Sequence, residues 1–410
     1  MSEADTPLTL ASPSAMACPF QVYEQIREQS PAYRDPVTGF FVVTGYDDIR
    51  QIAADPATFS SFTDLNARGD ELSQEVGRLY DEAGFPPTNV LVGMDPPEHA
   101  GQRSLVDKVF SARRVREAEP AILAIVERLI DAFPQEPFDF CALFAVPLPM
   151  RMIAQQLGLG EDRLNDFKRW SDASVDQMQQ GRSRETILRD ARSIIEMRSF
   201  FCGEIRKVRE EPKDTLLSAL ANTGNSDGEL IPENDLSLLL QLLLTAGNET
   251  TTHAIGSAML RLAQDAALQS RLRAEPSLVP AFIEEVLRLD APLQGLMRTA
   301  RRDTSIGDVP VPAGSVVNIR FAAGNRDARQ FPQPDTLDLA RQQRSHLTFG
   351  FGIHHCIGSQ LARAEMRIAL ERLLARSSAI RLAGGDDSLA RIPHFLTYGP
   401  RTLIVEFDQS

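Results

Sequence analysis

Phe349-Gly350-Phe351-Gly352-Ile353-His354-His355-Cys356-Ile357-Gly358 runs directly into a segment, from about Ser359 to Leu374, with the apolar spacing of a helix. Cys356 therefore falls at a helix N-terminus. Free backbone N–H groups and the helix dipole favour an anion there, so a thiolate at this position is stabilised and can act as a metal ligand. Glycines at 350, 352 and 358 remove side chains where backbone might pass close to a flat cofactor. Taken alone, the loop also reads as an inert buried cysteine beside a tight turn, the usual fate of a lone cysteine.

Upstream, helical periodicity dominates. Segments begin at Pro96-Pro97, cover Ile122 to Phe133 and Arg163 to Met178, and continue as a charged stretch from Ser183 to Glu210. The leucine run Leu236 to Leu244 belongs to a helix apolar on nearly every face, which must cross the core, with Asn234 as its expected cap. Within that helix Ala246-Gly247-Asn248-Glu249-Thr250-Thr251 sets a glycine and an acid-alcohol pair among leucines. Another helix is expected from Ser277 to Leu289. Gly39 to Tyr46 reads as a strand ahead of a short helix, Asp47 to Ala54, after which the chain looks irregular to Val92. Turn-rich Asn222 to Glu229, short strands after Leu289, and strands near Ile380 and Thr402 to Phe407 complete the pattern. The expectation is one domain over 1–410, mainly α with a minor β portion, its first 19 residues flexible.

Bulk properties narrow the function. The 410 residues are 43% hydrophobic and carry a formal net charge of −13, which argues against a general nucleic-acid binder. Cys18, Cys141, Cys202 and Cys356 lie far apart, without the spacing of a disulfide framework or zinc site, which suits a reducing cytoplasm. The first 17 residues lack the basic and apolar regions of a signal peptide, and the leucine run is shorter than the roughly 20 apolar residues a membrane span needs.

The loop has the form FGxGxHxCxG and resembles the haem-binding loop of cytochromes P450, specifically the soluble bacterial members. The central-helix segment resembles that family's AGx(D/E)T(T/S) motif. Glu285-Val286-Leu287-Arg288 is similar to its ExxR motif, Ala322-Ala323-Gly324-Asn325-Arg326-Asp327 to its AANRD motif with a glycine as a small departure, and the motifs fall in family order from about residue 20 to 408.

The resemblance implies the cytochrome P450 fold, with haem b between the central helix and the cysteine-loop helix and Cys356 as axial ligand of its iron. Cofactor contacts would come from His99, Arg103, Ala246, Arg298, Phe349, His354, Cys356 and Gly358. Glu249 and Thr250 would organise the protons that oxygen activation consumes, a local opening of the helix admitting O2. Glu285, Arg288 and Arg341 would form a structural triad. The substrate pocket would draw on the loop from Phe62 to Val92, on Leu242, Thr245, Ala246, Leu293 and Gln294, and on Phe395 and Leu396, with Gln294 or Thr245 as a polar anchor.

The implied activity is a monooxygenase that hydroxylates or epoxidises a medium-sized hydrophobic molecule in the cytoplasm, as a monomer with no membrane anchor. No flavin, iron-sulfur or nicotinamide segment is legible in the chain. Electrons from NAD(P)H are therefore expected through a ferredoxin reductase and a ferredoxin docked on a basic patch of Arg103, Lys108, Arg113, Arg114, Arg363 and Arg367. Two alternatives stand beside this reading: a peroxide-driven hydroxylase of the same fold, a branch that lacks the acid-alcohol pair, and a non-catalytic haem sensor or electron carrier.

Overall fold

The structure, a computed structural model, describes residues 8–62, 70–177, 179, 181–224, 228–343, 345–384, 388–391 and 393–409. Met178, residues 63–69 of the expected pocket loop and residues 225–227 of the connector lie outside the described residues.

A helix from Glu233 to Gln264 crosses the centre of the molecule. Its two halves belong to different cores. Leu236, Leu239, Leu240, Leu243 and Leu244 pack with Met150, Trp170, Phe201 and Leu217. Ile255, Ala258, Met259 and Leu262 pack with Ile122, Phe144, Phe282 and Leu370. A helix surrounded by apolar neighbours needs no polar face, which is why its sequence shows no amphipathic stripe. The polar segment from Ala246 to Thr251 falls where the two cores meet.

Helices Leu164–Asp176 and Arg184–Glu210 cover the first half of this central helix. Helix Ser359–Ala375 packs on Ala112–Asp131 and on Val279–Leu289. A five-stranded sheet lies to one side, in the order Tyr33–Arg34, Phe41–Val43, Val316–Ile319, Leu296–Ala300, Phe59–Ser60. Phe41–Val43 runs parallel to Val316–Ile319, and the other neighbours are antiparallel, with Arg298 opposite Val317 and Ser60 opposite Thr299. A second sheet gathers Leu389–Arg391, Pro400–Gln409, Phe138–Asp139 and Ser377–Leu382. No helix among the described residues is long and apolar enough to cross a membrane.

Three local expectations are corrected. Pro232, not Asn234, occupies the N-cap of the central helix; Asn234 lies inside the first turn, where its side-chain oxygen accepts from Arg198 at 2.7 Å and its amide donates to the Pro86 carbonyl. The stretch between Ala54 and Val92 contains a helix, Glu71–Glu82, capped by Asp70, whose carboxylate accepts from the Ser73 amide at 2.7 Å. Residues 8–19 are packed: Ser12 caps a helix at Pro13–Ala17, and the buried Thr9 hydroxyl donates to Asp35 at 2.9 Å.

Candidate active site

The Cys356 loop is a rigid, locally bonded turn. The Leu347 carbonyl accepts from the Gly350 amide at 2.8 Å, and the Phe349 carbonyl accepts from the Cys356 amide at 2.8 Å. Gly350 and Gly352 both have φ of +72°, the left-handed region that favours glycine. Gly352 also abuts the preceding half of the chain: a Cβ there would stand 2.7 Å from the Ala53 carbonyl oxygen. Helix Ser359–Ala375 then begins three residues past the cysteine, so the Gly358 and Ser359 amides are directed at the sulfur. Solvent reaches Cys356, yet protein crowds it closely enough that burial raises its thiol pKa, while those two amides with Arg103 and Arg363 favour the thiolate. The Arg363 guanidinium lies 4.3 Å from the centre of the Phe349 ring, and Arg50 lies 4.4 Å from that of Phe351. These contacts fix the aromatic residues of the loop.

The four expected carboxylate-binding side chains gather within electrostatic reach of one another. The His99 and His354 rings are 4.4 Å apart, and Arg298 is buried. Desolvation, then the charge of Arg298 and the neighbouring His99, pulls His354 down to about 3; burial and Arg103 lower His99. Arg298 itself is lowered to about 10 by burial, and its one described hydrogen bond donates to the Met297 carbonyl at 2.8 Å. The nearby acid, Asp95, accepts from the Ser61 amide at 2.9 Å and from Arg301 at 2.6 Å, so it is engaged elsewhere. Arg103 stands with them, its charge lowering both imidazoles while it donates to the His355 carbonyl at 2.8 Å and to Asp107. A thiol at a helix N-terminus, with two imidazoles and a buried guanidinium short of an acid, fits a haem carrying two carboxylates.

On the central helix, Ala246 is the one exposed residue between Leu236 and Thr252. The helix runs unbroken from Glu233 to Gln264 through this point. The Thr250 hydroxyl donates to the Ala246 carbonyl at 2.8 Å, and Asn248 donates to Ser171 at 2.7 Å. Glu249 points toward helix Leu164–Asp176, where Lys168 lies 3.4 Å from its Oε1 while also gripping Asp172. His253 Nε2 lies 3.9 Å from Glu249 Oε2. Burial lowers His253 to about 4, with Lys168 adding to the effect, and burial with the adjacent Glu249 raises Asp172. Lys168, Asp172 and His253 were missed by sequence reasoning.

The structural triad assembles. Glu285 accepts from Arg288 at 2.7 and 2.9 Å, from Arg341 at 3.1 Å, and from the Asp338 amide at 2.9 Å, all three side chains being buried. Burial alone would raise its carboxyl, but these donors outweigh it and hold the group below its ordinary range. Among the expected pocket residues, Leu242, Thr245 and Leu293 are partly exposed, whereas Gln294, Phe395 and Leu396 are buried. Gln294 is engaged at both ends, accepting from the Tyr23 hydroxyl at 2.9 Å and donating to the Ala291 carbonyl at 2.7 Å. That leaves Thr245, whose buried hydroxyl has no partner among the described residues, as the polar position.

The expected basic patch is a mosaic of ion pairs. Arg363 pairs with Glu284, Arg367 with Glu119 and Glu371, Arg113 with Glu117, Arg114 with Asp214 and Arg103 with Asp107. A groove of about 280 Å³ lies there, between Ala112, Val115, Glu119, Ile283, Arg363 and Arg367.

Comparison with known proteins gives the same answer. The family model described as cytochrome P450 matches residues 162–380. Cytochrome P450 107B1 of Saccharopolyspora erythraea is 35% identical over 376 residues, 90% of this chain and 89% of that protein. The vitamin D(3) 25-hydroxylase of Pseudonocardia autotrophica is 32% identical over 94% of each chain. The structure of CYP109Q5 from Chondromyces apiculatus superimposes with a TM-score of 0.84 at 34% identity over 98% of both chains. With the cysteine loop, the acid-alcohol helix and the buried triad assembled as described, this chain belongs to the cytochrome P450 family and is a bacterial P450 monooxygenase.

Proposed function

We propose that this chain binds haem b through Cys356 and inserts one oxygen atom of O2 into a medium-sized hydrophobic small molecule, giving an alcohol or an epoxide. The observation that carries the reading is the Cys356 thiol at the head of helix Ser359–Ala375, with the carboxylate-seeking set of His99, His354 and Arg298 beside it. Bound there, haem would supply the dioxygen chemistry, with the Cys356 thiolate holding its iron and lending it electron density.

The chain's own residues do the rest. Phe349 and Arg363 pack about the sulfur's loop, and Gly358 keeps its amide open to the sulfur. Ala246 keeps the distal wall low. Thr250 holds a hydroxyl over that wall, and Glu249, bridged to the partly exposed Lys168 and Asp172, links it to solvent, so protons can be drawn inward along the acid side chain. Leu242, Thr245, Leu293, Phe395 and Leu396 form an apolar pocket with the Thr245 hydroxyl as its polar point. The substrate class is supported by relatives named vitamin D(3) 25-hydroxylase, steroid C26-monooxygenase and cyclomarin C epoxidase.

Electrons come from NAD(P)H through a ferredoxin reductase and a small acidic ferredoxin, which docks at the groove edged by Arg363 and Arg367 in the cytoplasm. The working unit is a monomeric single domain over 1–410. The first test is the absorption spectrum of the reduced, carbon-monoxide-treated protein beside Cys356→Ser: a strongly red-shifted Soret band lost in the variant is expected, and a band indifferent to the substitution rules the reading out. Substrate oxidation that consumes NADH only with a ferredoxin pair present separates this reading from a peroxide-driven hydroxylase.

A further inference from the structure

Arg320 is a buried cation with no acid. It follows strand Val316–Ile319, is 2% exposed, and no carboxylate among the described residues lies within ion-pair reach of it. Its guanidinium donates to the Tyr23 hydroxyl at 3.0 Å through Nε and to the Phe395 carbonyl at 3.0 Å through one terminal nitrogen, and the other terminal nitrogen has no partner among the described residues. The group also lies 5.2 Å from the centre of the Tyr23 ring and 5.1 Å from that of Phe395. An uncompensated charge in a core is unfavourable for stability, and an apolar side chain of equal volume would serve the fold better. What a guanidinium adds is a fixed fork that joins separate segments in one geometry.

The segments joined are the two pocket walls. Tyr23, on helix Phe20–Gln29, passes the connection on by donating to Gln294 at 2.9 Å. The Gln294 backbone N–H donates to the Leu396 carbonyl at 2.7 Å, and Leu293 bridges to Thr397. Gly295 lets this wall press on the strand that carries Arg320, since a Cβ there would stand 3.0 Å from the Arg320 Cα. Three residues later in the same chain segment comes Arg298, so the walls are referenced to the carboxylate-binding set as well as to each other.

We propose that Arg320 is a specificity-determining positioning residue: through Tyr23 and the Phe395 carbonyl it locks Leu293–Gln294 and Phe395–Leu396 at one spacing and so sets the shape of substrate accepted. The inference rests on the haem-thiolate reading above, and its test is chosen so that the two fail differently. Purified, haem-loaded protein is titrated with imidazole and with 4-phenylimidazole while the Soret band is followed. Both probes ligate iron through the same nitrogen, and only the second places a ring against the walls.

Arg320→Met and Tyr23→Phe are each expected to shift the 4-phenylimidazole-to-imidazole affinity ratio by on the order of 10-fold, with imidazole affinity and the reduced carbon-monoxide band unchanged. Should Arg320→Met not fold, Tyr23→Phe decides, because it removes one hydroxyl and keeps the ring. A ratio unchanged in the folded variants overturns the proposal. A wild-type chain whose Soret band ignores imidazole removes the haem reading instead.

Discussion

Lys168 divides its ammonium between two carboxylates, gripping Asp172 on its own helix and standing 3.4 Å from Glu249 on the central one. Burial alone would lower the lysine, but the two acids outweigh it and keep its proton bound more tightly than usual. The cation therefore neutralises Glu249 at a place where Glu249 is mostly buried, while remaining a third exposed itself.

Lys168→Met should strand that carboxylate. The fraction of NADH recovered as product, rather than as peroxide, is expected to fall on the order of 10-fold, less than the roughly 100-fold or more of a lost proton-transfer group because Glu249 itself remains. Unaltered coupling in Lys168→Met, measured with a reconstituted electron-transfer chain, would remove Glu249 from the proton route.

Arg298→Leu should act in opposite directions on the two forms of the protein. The chain without haem loses a buried, acid-poor guanidinium and is expected to melt at the same or a higher temperature. The haem-loaded chain loses a carboxylate partner and should release haem faster to an apo-globin acceptor. Equal effects on both forms would show that Arg298 serves packing alone.

Glu285→Gln leaves Arg288 and Arg341 without the carboxylate that both share. Breaking a buried ionic network by removing one partner destabilises by about 3–5 kcal/mol. Denaturant melts should report a loss of that order, with little folded protein recovered at 37 °C.

The motifs that could be read in the sequence are those whose geometry is local. Cys356 and its glycines, Glu285 with Arg288 one helical turn on, and Glu249 beside Thr250 all owe their arrangement to spacing along one segment. Arg341 was found by resemblance, since nothing in its own surroundings marks it. Lys168 and Asp172 meet Glu249 only because helix Leu164–Asp176 packs across the central helix, a non-local fact with no signature in spacing, whereas His253 stands one turn beyond Glu249 on the same helix, a local relation that spacing carries. Helix Glu71–Glu82 was missed for a different reason: its apolar spacing at Leu72, Val76, Leu79 and Tyr80 was there to read, but Gly77 midway lowers propensity and drew the reading toward a loop. Asn234 looked like a cap because its residue type suits one, but the chain enters the helix two residues earlier at Pro232.

Glu365 is fully buried, with Oε2 lacking a partner among the described residues, and burial pushes its carboxyl up to about 8 from an ordinary 4.5. An acid with a raised folded pKa contributes stability below its unfolded pKa, and that contribution is lost as pH rises through the folded value. Glu365→Gln should therefore match the wild type near pH 4.5 and gain progressively up to about pH 8, by on the order of a few kcal/mol. A stability difference that does not change with pH would mean that Glu365 is not buried as a neutral acid.

Glu119→Gln frees Arg367 from one of its acids at the edge of the proximal groove. If an acidic ferredoxin docks there, reduction at low salt should quicken several-fold and the gain should vanish at high ionic strength. Stopped-flow reduction rates that ignore both the substitution and the salt would place the partner elsewhere.

The contact between Gly352 and Ala53 gives the molecule an order of assembly. His354 reaches Ser61 across 293 positions of sequence, and Arg103 meets the His355 carbonyl across 252, so these braces of the cysteine loop are made well before the loop itself. On the ribosome, the early segments must wait, with their imidazole and arginine side chains already in hand, until the cysteine loop emerges far downstream. The thiol is the closing piece of a site whose other parts are made long before it.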